Sequence, residues 1–306
     1  MVIDKIVVAG LDNAGKTSLL VALDKKFDYE DEVYDLSPTQ GVQRDKYTFL
    51  NRDIICWDLG GQEGYREDYL NYKDRFFLDI AVFYFVVDVQ DVAHFPDAVA
   101  YLRKIVDFFA EKQIELPIVL LLNKVDPDLQ DSKKIQKNIV KLKEMILLSL
   151  GVFPGDFYTT SAFDIDSVMT AFSKSLSRTL PRTELIENVL QELSQENELV
   201  GIILMDVNGI TFGDCFKDGL SPAQRRAIRE IRILALKKIV EKGVGSLRFE
   251  DDSYPPNALF GEIKYFAADK SGFYLLVLSE EMETIADKMD SILPRAETLL
   301  SDILGQ

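Results

Sequence analysis

Lys5-Ile-Val-Val-Ala-Gly10-Leu-Asp-Asn-Ala-Gly15-Lys16-Thr17 is the stretch on which the fold turns. Lys5–Ala9 is a short apolar run that ends in glycine, and Lys16–Asp24 reads as a helix. Between them, Gly10–Thr17 fits the spacing G-x-x-x-x-G-K-S/T, in the strand–loop–helix setting that this motif requires. Glycines let the backbone wrap closely around phosphates, and the loop N–H groups and the helix N-terminus face their negative charge. Lys16 is spaced to reach the β- and γ-phosphates, and Thr17 to bind Mg²⁺. Asp12, Asn13, Ala14, Gly15 and Ser18 complete the expected cradle.

Working outward, Asp58 ends the apolar strand Ile54–Trp57. It puts a carboxylate at a strand's C-terminal edge, where a metal bound to phosphates belongs. In Asp58-Leu-Gly60-Gly61-Gln62, Gly61 offers a close backbone N–H to a γ-phosphate, and Gln62 a group to orient an attacking water. Thr39, in Pro38-Thr39-x-Gly41, is the expected second hydroxyl on Mg²⁺, so the metal set is Thr17, Thr39 and Asp58. Asn123-Lys124-Val125-Asp126 follows the buried run Ile118–Leu122 and decides the base. A carboxylate at Asp126 accepts from guanine N1 and N2 hydrogens, a donor pair that adenine lacks. Asn123 bonds the other edge, and the Lys124 stem covers the ring face. Ser161-Ala162, after the last strand of this half, offers a backbone N–H to guanine O6.

The remaining pattern is consistent with this site. Tyr47–Leu50 and Ile54–Asp58 read as a hairpin, and Ile80–Val89, Ile118–Leu122 and Phe157–Ser161 as further strands. Ala98–Lys112, Lys133–Leu150 and Ile165–Leu176 have helical periodicity. Strands apolar on both faces and separated by helices argue for a mostly parallel sheet covered on both sides. The acidic run Asp28–Glu32, just before Thr39, reads as a solvated loop, with an effector or activator surface as the alternative.

A boundary falls near Leu180-Pro181-Arg182, so residues 1–180 and 181–306 are expected to be separate domains. The second half reads helix (Glu184–Glu196), strands (Leu199–Asp206, Ile210–Cys215), helix (Pro222–Lys242), strands (Ser246–Glu250, Leu259–Ala268, Gly272–Ser279) and helix (Glu281–Ile303). Asn208-Gly209 supplies the positive backbone angles of a tight hairpin. Ser221-Pro222 opens the long helix, Lys270-Ser271-Gly272 is a turn, and Pro294 is a kink in the last helix. On the long helix, Ile228, Ile231, Leu234, Ala235 and Ile239 form an apolar band, which suits burial in its own domain or sharing with a second subunit.

Composition sets limits. The 306 residues carry 35 Lys+Arg against 51 Asp+Glu, a net charge of −16. Such a chain repels a nucleic-acid backbone and an anionic lipid surface. Its two cysteines, Cys56 and Cys215, make no disulfide framework or zinc site, and point to a reducing, cytoplasmic setting. The one histidine, His94, cannot build a histidine metal cluster. Val2 follows Met1, no prenylation cysteine is present, and no apolar stretch nears the ~20 residues of a membrane span, so no direct membrane anchor is expected.

These residues resemble the small GTPase superfamily across about Met1–Leu180. Gly10–Thr17 and Trp57-Asp-Leu-Gly-Gly-Gln62 are similar to Arf-type GTPases. Gly60–Asp88, with Gln62-Glu63, Tyr69-Leu70 and Arg75-Phe76-Phe77, is similar to Rag GTPases, although this chain carries an N-K-x-D tetrad that Rag proteins lack. The resemblance implies a P-loop GTPase domain followed by a smaller α+β roadblock-like domain, with a longin domain as the alternative. It further implies a GTP-hydrolysing switch using Mg²⁺ and GTP/GDP, with Gln62 catalytic, slow intrinsic hydrolysis, and activating and exchange proteins as partners. In roadblock domains the long helix and adjacent strand commonly pair two chains, so a homodimer or heterodimer is implied. The alternative reading is a non-enzymatic scaffold whose nucleotide is structural.

Overall fold

The computed structural model describes residues 4–49, 52–151, 153, 155–179, 183–242, 245–250, 259–268 and 271–304. They fold into two compact units that divide between Ala171 and Phe172. The boundary expected at 180–182 lies outside the described residues.

The first unit begins with β1 (Asp4–Gly10) and α1 (Lys16–Lys25), followed by α2 (Glu30–Asp35), β2 (Val42–Phe49) and β3 (Arg52–Leu59). Two short helices, α3 (Glu63–Asn71) and α4 (Lys73–Phe77), lead to β4 (Val82–Asp88) and α5 (Phe95–Glu111). Next come β5 (Ile118–Asn123), α6 (Lys133–Leu150), β6 (Gly155–Thr159) and α7 (Ile165–Ser177), the last of which crosses the division between the units. The six-stranded sheet has the order β2-β3-β1-β4-β5-β6, and β1 pairs in parallel with both β3 and β4. Strand order therefore reverses around β1, and an open α/β sheet binds ligands at such a switch point, beyond the strands' C-terminal ends.

The continuous apolar runs are central strands because both their faces are covered. Val7, Phe83, Phe85, Leu120 and Leu122 pack with Leu102, Ile105 and Phe109 of α5 and Leu142 of α6. Tyr84, Val86, Val119 and Leu121 alternate to the other face and are equally buried.

Three helices differ from the expectation. The run Asp28–Glu32 is not a plain loop: it leads into α2, and Tyr29 within it is buried at 3% exposure. Helices α3 and α4 were not expected. They anchor through Tyr69, Phe76 and Phe77, and α3 has a mostly polar surface that shows no apolar stripe in the sequence. Strand β2 also starts earlier than expected, at Val42; Gln43–Lys46 is polar and charged and so carries no apolar strand signal.

The second unit contains α8 (Thr183–Glu196), β7 (Gly201–Asp206), β8 (Thr211–Phe216), α9 (Pro222–Lys242), β9 (Ser246–Glu250), β10 (Phe260–Ala268), β11 (Ser271–Ser279) and α10 (Ile285–Leu304). Its sheet is antiparallel, in the order β8-β7-β11-β10-β9. This is the α+β architecture that the element order implied. Helix α9 buries Ala227, Ile228, Ile231, Ala235 and Ile239 against Ile203, Ile263, Tyr274, Leu276 and Leu278 of its own sheet. The approach is close: a Cβ on Gly261 would lie 2.9 Å from Ile231 Cγ2. Ser271 and Gly272, read as part of a turn, are in β11, paired with Ala268 and Ala267, and Lys270 lies outside the described residues. Helix α10 starts at Ile285, four residues later than read, because Thr284 Oγ1 donates to Glu281 Oε2 in a local turn. It runs through Pro294 as one helix.

Candidate functional site

The loop between β1 and α1 owes its shape to backbone angles that few side chains tolerate. Gly10 has φ +149° and Gly15 φ +90°, and between them Asn13 is also left-handed at +55°. Space is equally limiting. A Cβ at Gly10 would stand 2.3 Å from the Val86 carbonyl oxygen, and one at Gly15 2.3 Å from Asn123 Nδ2. Lys16 is buried and its Nζ donates to the Leu11 carbonyl at 2.7 Å and the Gly10 carbonyl at 3.3 Å. Burial lowers its pKa to about 8, partly offset by the Asp58 and Asp12 carboxylates. Asp12, Asn13, Gly15, Lys16, Thr17, Ser18, Thr39, Gly61 and Gln62 line one cleft.

Thr17 and Thr39 line this cleft, and both bond Asp58. Thr17 Oγ1 donates to Asp58 Oδ2 at 2.5 Å, Thr39 Oγ1 donates to the same oxygen at 3.2 Å, and the two hydroxyl oxygens lie 2.8 Å apart. Asp58 is 1% exposed, and its Oδ1 has no hydrogen-bond partner. Burial raises its pKa. A buried carboxylate oxygen without a donor, beside two hydroxyls, is a hard oxygen set that suits Mg²⁺. The residues present therefore fit the ion, which would be held by Thr17, Thr39 and Asp58.

Backbone bonds join the two loops that carry Thr39 and Gln62. Gly60 N–H donates to the Gly41 carbonyl at 2.8 Å, and Tyr69 Oη donates to the same carbonyl at 2.7 Å. Asp12 N–H donates to the Gly61 carbonyl at 3.0 Å, so the Gly61 backbone lies directly on the phosphate loop. A Cβ at Gly61 would sit 2.2 Å from Asp12 N. Gln62 is half-buried at the start of α3, in extended conformation.

The expected base site assembles at the ends of β5 and β6. Asn123 is buried; its Nδ2 donates to the Ala14 carbonyl at 2.8 Å, and its Oδ1 accepts from Thr160 Oγ1 at 3.2 Å. Lys124 is left-handed (φ +65°), and its Nζ pairs with Asp88 Oδ2 at 2.8 Å. Ser161 Oγ donates to Asp126 Oδ1 at 2.5 Å. The Ser161 N–H donates to Ser167 Oγ at 3.1 Å, and the Ala162 carbonyl accepts from Tyr29 Oη at 2.6 Å. Thr160, Asp88, Ser167 and Tyr29 escaped the sequence reading. Tyr29, Asp88 and Thr160 act through partners distant in sequence, Ser167 bonds Ser161 six residues back, and no short motif marks any of them.

A six-stranded, mostly parallel sheet with this loop at its switch point and these side chains around it defines a P-loop G domain. Comparison with known proteins then assigns the family. The model described as "Gtr1/RagA G protein conserved region" matches residues 5–217, and the chain belongs to that family. It is 28% identical over 206 residues to GTP-binding protein GTR2 of Saccharomyces cerevisiae, covering 66% of this chain and 59% of that protein. It is 26% identical over 205 residues to Ras-related GTP-binding protein A of Dictyostelium discoideum, covering 66% of each. Over 122 residues it is 31% identical to ADP-ribosylation factor-like protein 3 of Chlamydomonas reinhardtii, covering 40% of this chain and 63% of that one. The matches thus span about three-fifths of the length of the first of these relatives. The double likeness agrees with the mixed Arf and Rag character of the motifs.

Proposed function

We propose that this chain is a guanine-nucleotide switch that binds GTP and GDP with Mg²⁺ and hydrolyses GTP slowly. The observation that carries the reading is the bond from Asn123 Nδ2 to the Ala14 carbonyl. It ties the base tetrad to the phosphate loop, so both ends of one nucleotide are served by a single framework. Asp126 is the acceptor for guanine N1–H and N2–H, and Ser161 holds its carboxylate in place. The Ser161 N–H is already bonded to Ser167, which leaves Ala162 N–H as the donor to guanine O6.

At the phosphates, Lys16 moves from the loop carbonyls to the β- and γ-oxygens, Gly61 N–H meets the γ-phosphate, and Gln62 orients water. When bound, Mg²⁺ neutralises charge developing on the bridging phosphate oxygens. Thr39 and Gly61 report the γ-phosphate, so their loops order with GTP and loosen with GDP. An activating partner that adds an arginine raises the rate by ~10³–10⁵. The test is to denature the purified protein, identify the released nucleotide by chromatography, and follow single-turnover hydrolysis of GTP. Adenine nucleotide, or none that exchanges with added GDP, would refute the assignment.

The domain assignment (a G domain to about residue 180, then a roadblock-like domain), the dimer and a cytoplasmic setting belong to the same proposal. Cys56 and Cys215 are both free thiols, which suits a reducing compartment. No helix among the described residues is long and apolar enough to cross a membrane. Leu234 and Val240 of α9 are 47% and 46% exposed, which supports a second chain on that helix and keeps the scaffold reading in view. Light scattering with GDP and with a GTP analogue tests the dimer; a monomer in both states removes it.

A further inference from the structure

A second cavity, of about 310 Å³, lies between α1 and β2. Leu20 and Val21 give it an apolar wall, Asp24 and Asp45 line its acidic side, and Thr17 and Asp58 of the metal set line it as well. Thr17 also lines the nucleotide cleft, so the two spaces share a wall. Asp58 singles this cavity out. It is 1% exposed, and its Oδ1 accepts no hydrogen bond. A buried carboxylate oxygen without a donor is costly, so it favours a donor that can reach it.

The charges around the cavity select a cation. Gln43 Nε2 donates to Asp45 Oδ2 at 3.1 Å, which leaves that carboxylate's charge in place. Lys25 and Lys46 also line the space, but Lys25 pairs with Glu32, and Lys46 with Asp53 at 2.8 Å. Among the described residues, no lysine or arginine pairs with the carboxylate of Asp24, Asp45 or Asp58. Burial raises the Asp58 pKa, Thr17, Lys16 and Thr39 oppose this, and Asp45 adds to the rise. The half-buried Tyr47 phenol, also at the cavity, is pushed up by burial and then by Cys56, Asp45, Asp24 and Asp58. The three carboxylates therefore act on one space. Among the described residues, no three His, Cys, Asp or Glu side chains group closely enough to hold a metal ion, so a small divalent cation does not fit here. A longer cation does fit, with its head at Asp58 and its stem along Leu20 and Val21. A guanidinium is weakly hydrated and loses least on entering such a space.

We propose that the cavity between α1 and β2 is a second ligand site for an organic cation, an ammonium or guanidinium head on an alkyl stem, and that this head bonds Asp58 from outside the nucleotide cleft. The site stands on its own lining, whereas its consequence rests on the reading of Asp58 as a metal ligand. A cation on Asp58 neutralises the carboxylate that would hold Mg²⁺, so the two ligands weaken each other by one common factor. Such a head comes from a free amine or from a lysine or arginine of a partner chain, and the chemistry of the two is the same.

The experiment titrates n-butylguanidinium, its uncharged counterpart n-butylurea and the peptide acetyl-Gly-Arg-Gly-amide into the GDP-bound protein by calorimetry, at one ionic strength set with NaCl. Butylguanidinium should bind at a single site with a Kd on the order of a millimolar, and butylurea at least about tenfold more weakly. Asp45→Asn should weaken butylguanidinium about tenfold, and Asp24→Asn about threefold, because Asp24 is exposed. Binding of the peptide as well supports the site and opens it to a partner's arginine; binding of butylguanidinium alone supports it as a site for free amines. Equal affinity for butylurea overturns the site. So does unchanged affinity in Asp45→Asn, or in Asp24→Asn should Asp45→Asn not fold. Release of N-methylanthraniloyl-GDP then tests the consequence. With butylguanidinium at about ten times its Kd, the Mg²⁺ concentration that half-maximally slows release should rise about threefold in wild type and less in Asp45→Asn. No rise overturns the competition. Release that ignores Mg²⁺ altogether, while butylguanidinium still binds, overturns the metal reading and leaves the cavity site standing, a separate outcome.

Discussion

Asp126→Asn exchanges a carboxylate for an amide of nearly the same shape, and it tests the base assignment at one atom. Asp126 is half-buried and accepts from Ser161 Oγ at 2.5 Å. An ionised carboxylate is acceptor-only, matching the two hydrogens that guanine presents at N1 and N2. The amide keeps one acceptor and turns the other into a donor. Against guanine, one charge-assisted bond of about 1.5–3 kcal/mol is lost and the other becomes a neutral one. The sum, about 3 kcal/mol, is roughly a hundredfold in affinity for GDP. Xanthine carries a carbonyl where guanine has its amino group, so the new donor finds an acceptor and affinity for xanthosine diphosphate should rise. Ser161 retains an acceptor in the amide oxygen, so the loop itself should survive. Competition titrations of a fluorescent nucleotide with GDP and xanthosine diphosphate, on wild type and variant, measure both changes. GDP affinity within threefold of wild type, or equal loss for both ligands, would refute Asp126 as the base reader.

Gln62→Leu should cut single-turnover GTP hydrolysis by at least about tenfold while GTP affinity stays within about twofold, because the glutamine acts on water and not on the bound ground state; an unchanged rate removes its assigned role. Gly61→Ala puts a Cβ 2.2 Å from Asp12 N, which is backbone and cannot swing away. Overpacking of this kind costs about 1–3 kcal/mol, so the melting temperature should fall and GTP affinity should weaken together; a variant as stable as wild type would contradict the contact. Lys5 Nζ donates to the Phe76 and Leu78 carbonyls at 2.9 and 3.1 Å, yet burial lowers its pKa to about 8. The unfolded chain then binds the extra proton between about pH 8 and 10.5, so Lys5 makes stability rise with pH over that window. Urea titrations should show this rise flattened in Lys5→Met, and an identical pH profile would show that Lys5 is not the group responsible.

The parts of this protein that could be read from sequence are those encoded contiguously. Gly10–Thr17 needs only its own glycines and the flanking strand and helix, so eight adjacent residues specify its geometry. The central strands were legible because burial on both faces leaves unbroken apolar runs at Ile118–Leu122 and Val82–Val87. Asn123–Asp126 was legible for the same reason: it terminates one of those runs at the edge where sites form. Helices α2, α3 and α4 were not, since each is short and α2 and α3 are mostly polar. Their position depends on a few anchors, Tyr29, Tyr69, Phe76 and Phe77, whose partners lie elsewhere in the chain.

What only the tertiary structure decided is how separate loops bear on one another. Thr17, Thr39 and Asp58 lie far apart in sequence and share one carboxylate oxygen because β1 and β3 are neighbours in the sheet. Asn123 reaches Ala14 because β4, between β1 and β5, is the only strand separating them. Tyr29 and Ala162 are 133 residues apart, and no periodicity or spacing links them. The sequence by itself determined a phosphate loop, a guanine tetrad and a two-part chain, because local backbone chemistry and strand burial leave local marks. The bond from Tyr29 to Ala162 and the open carboxylate oxygen of Asp58 arise from packing between distant segments, and distance in sequence carries no record of distance in space.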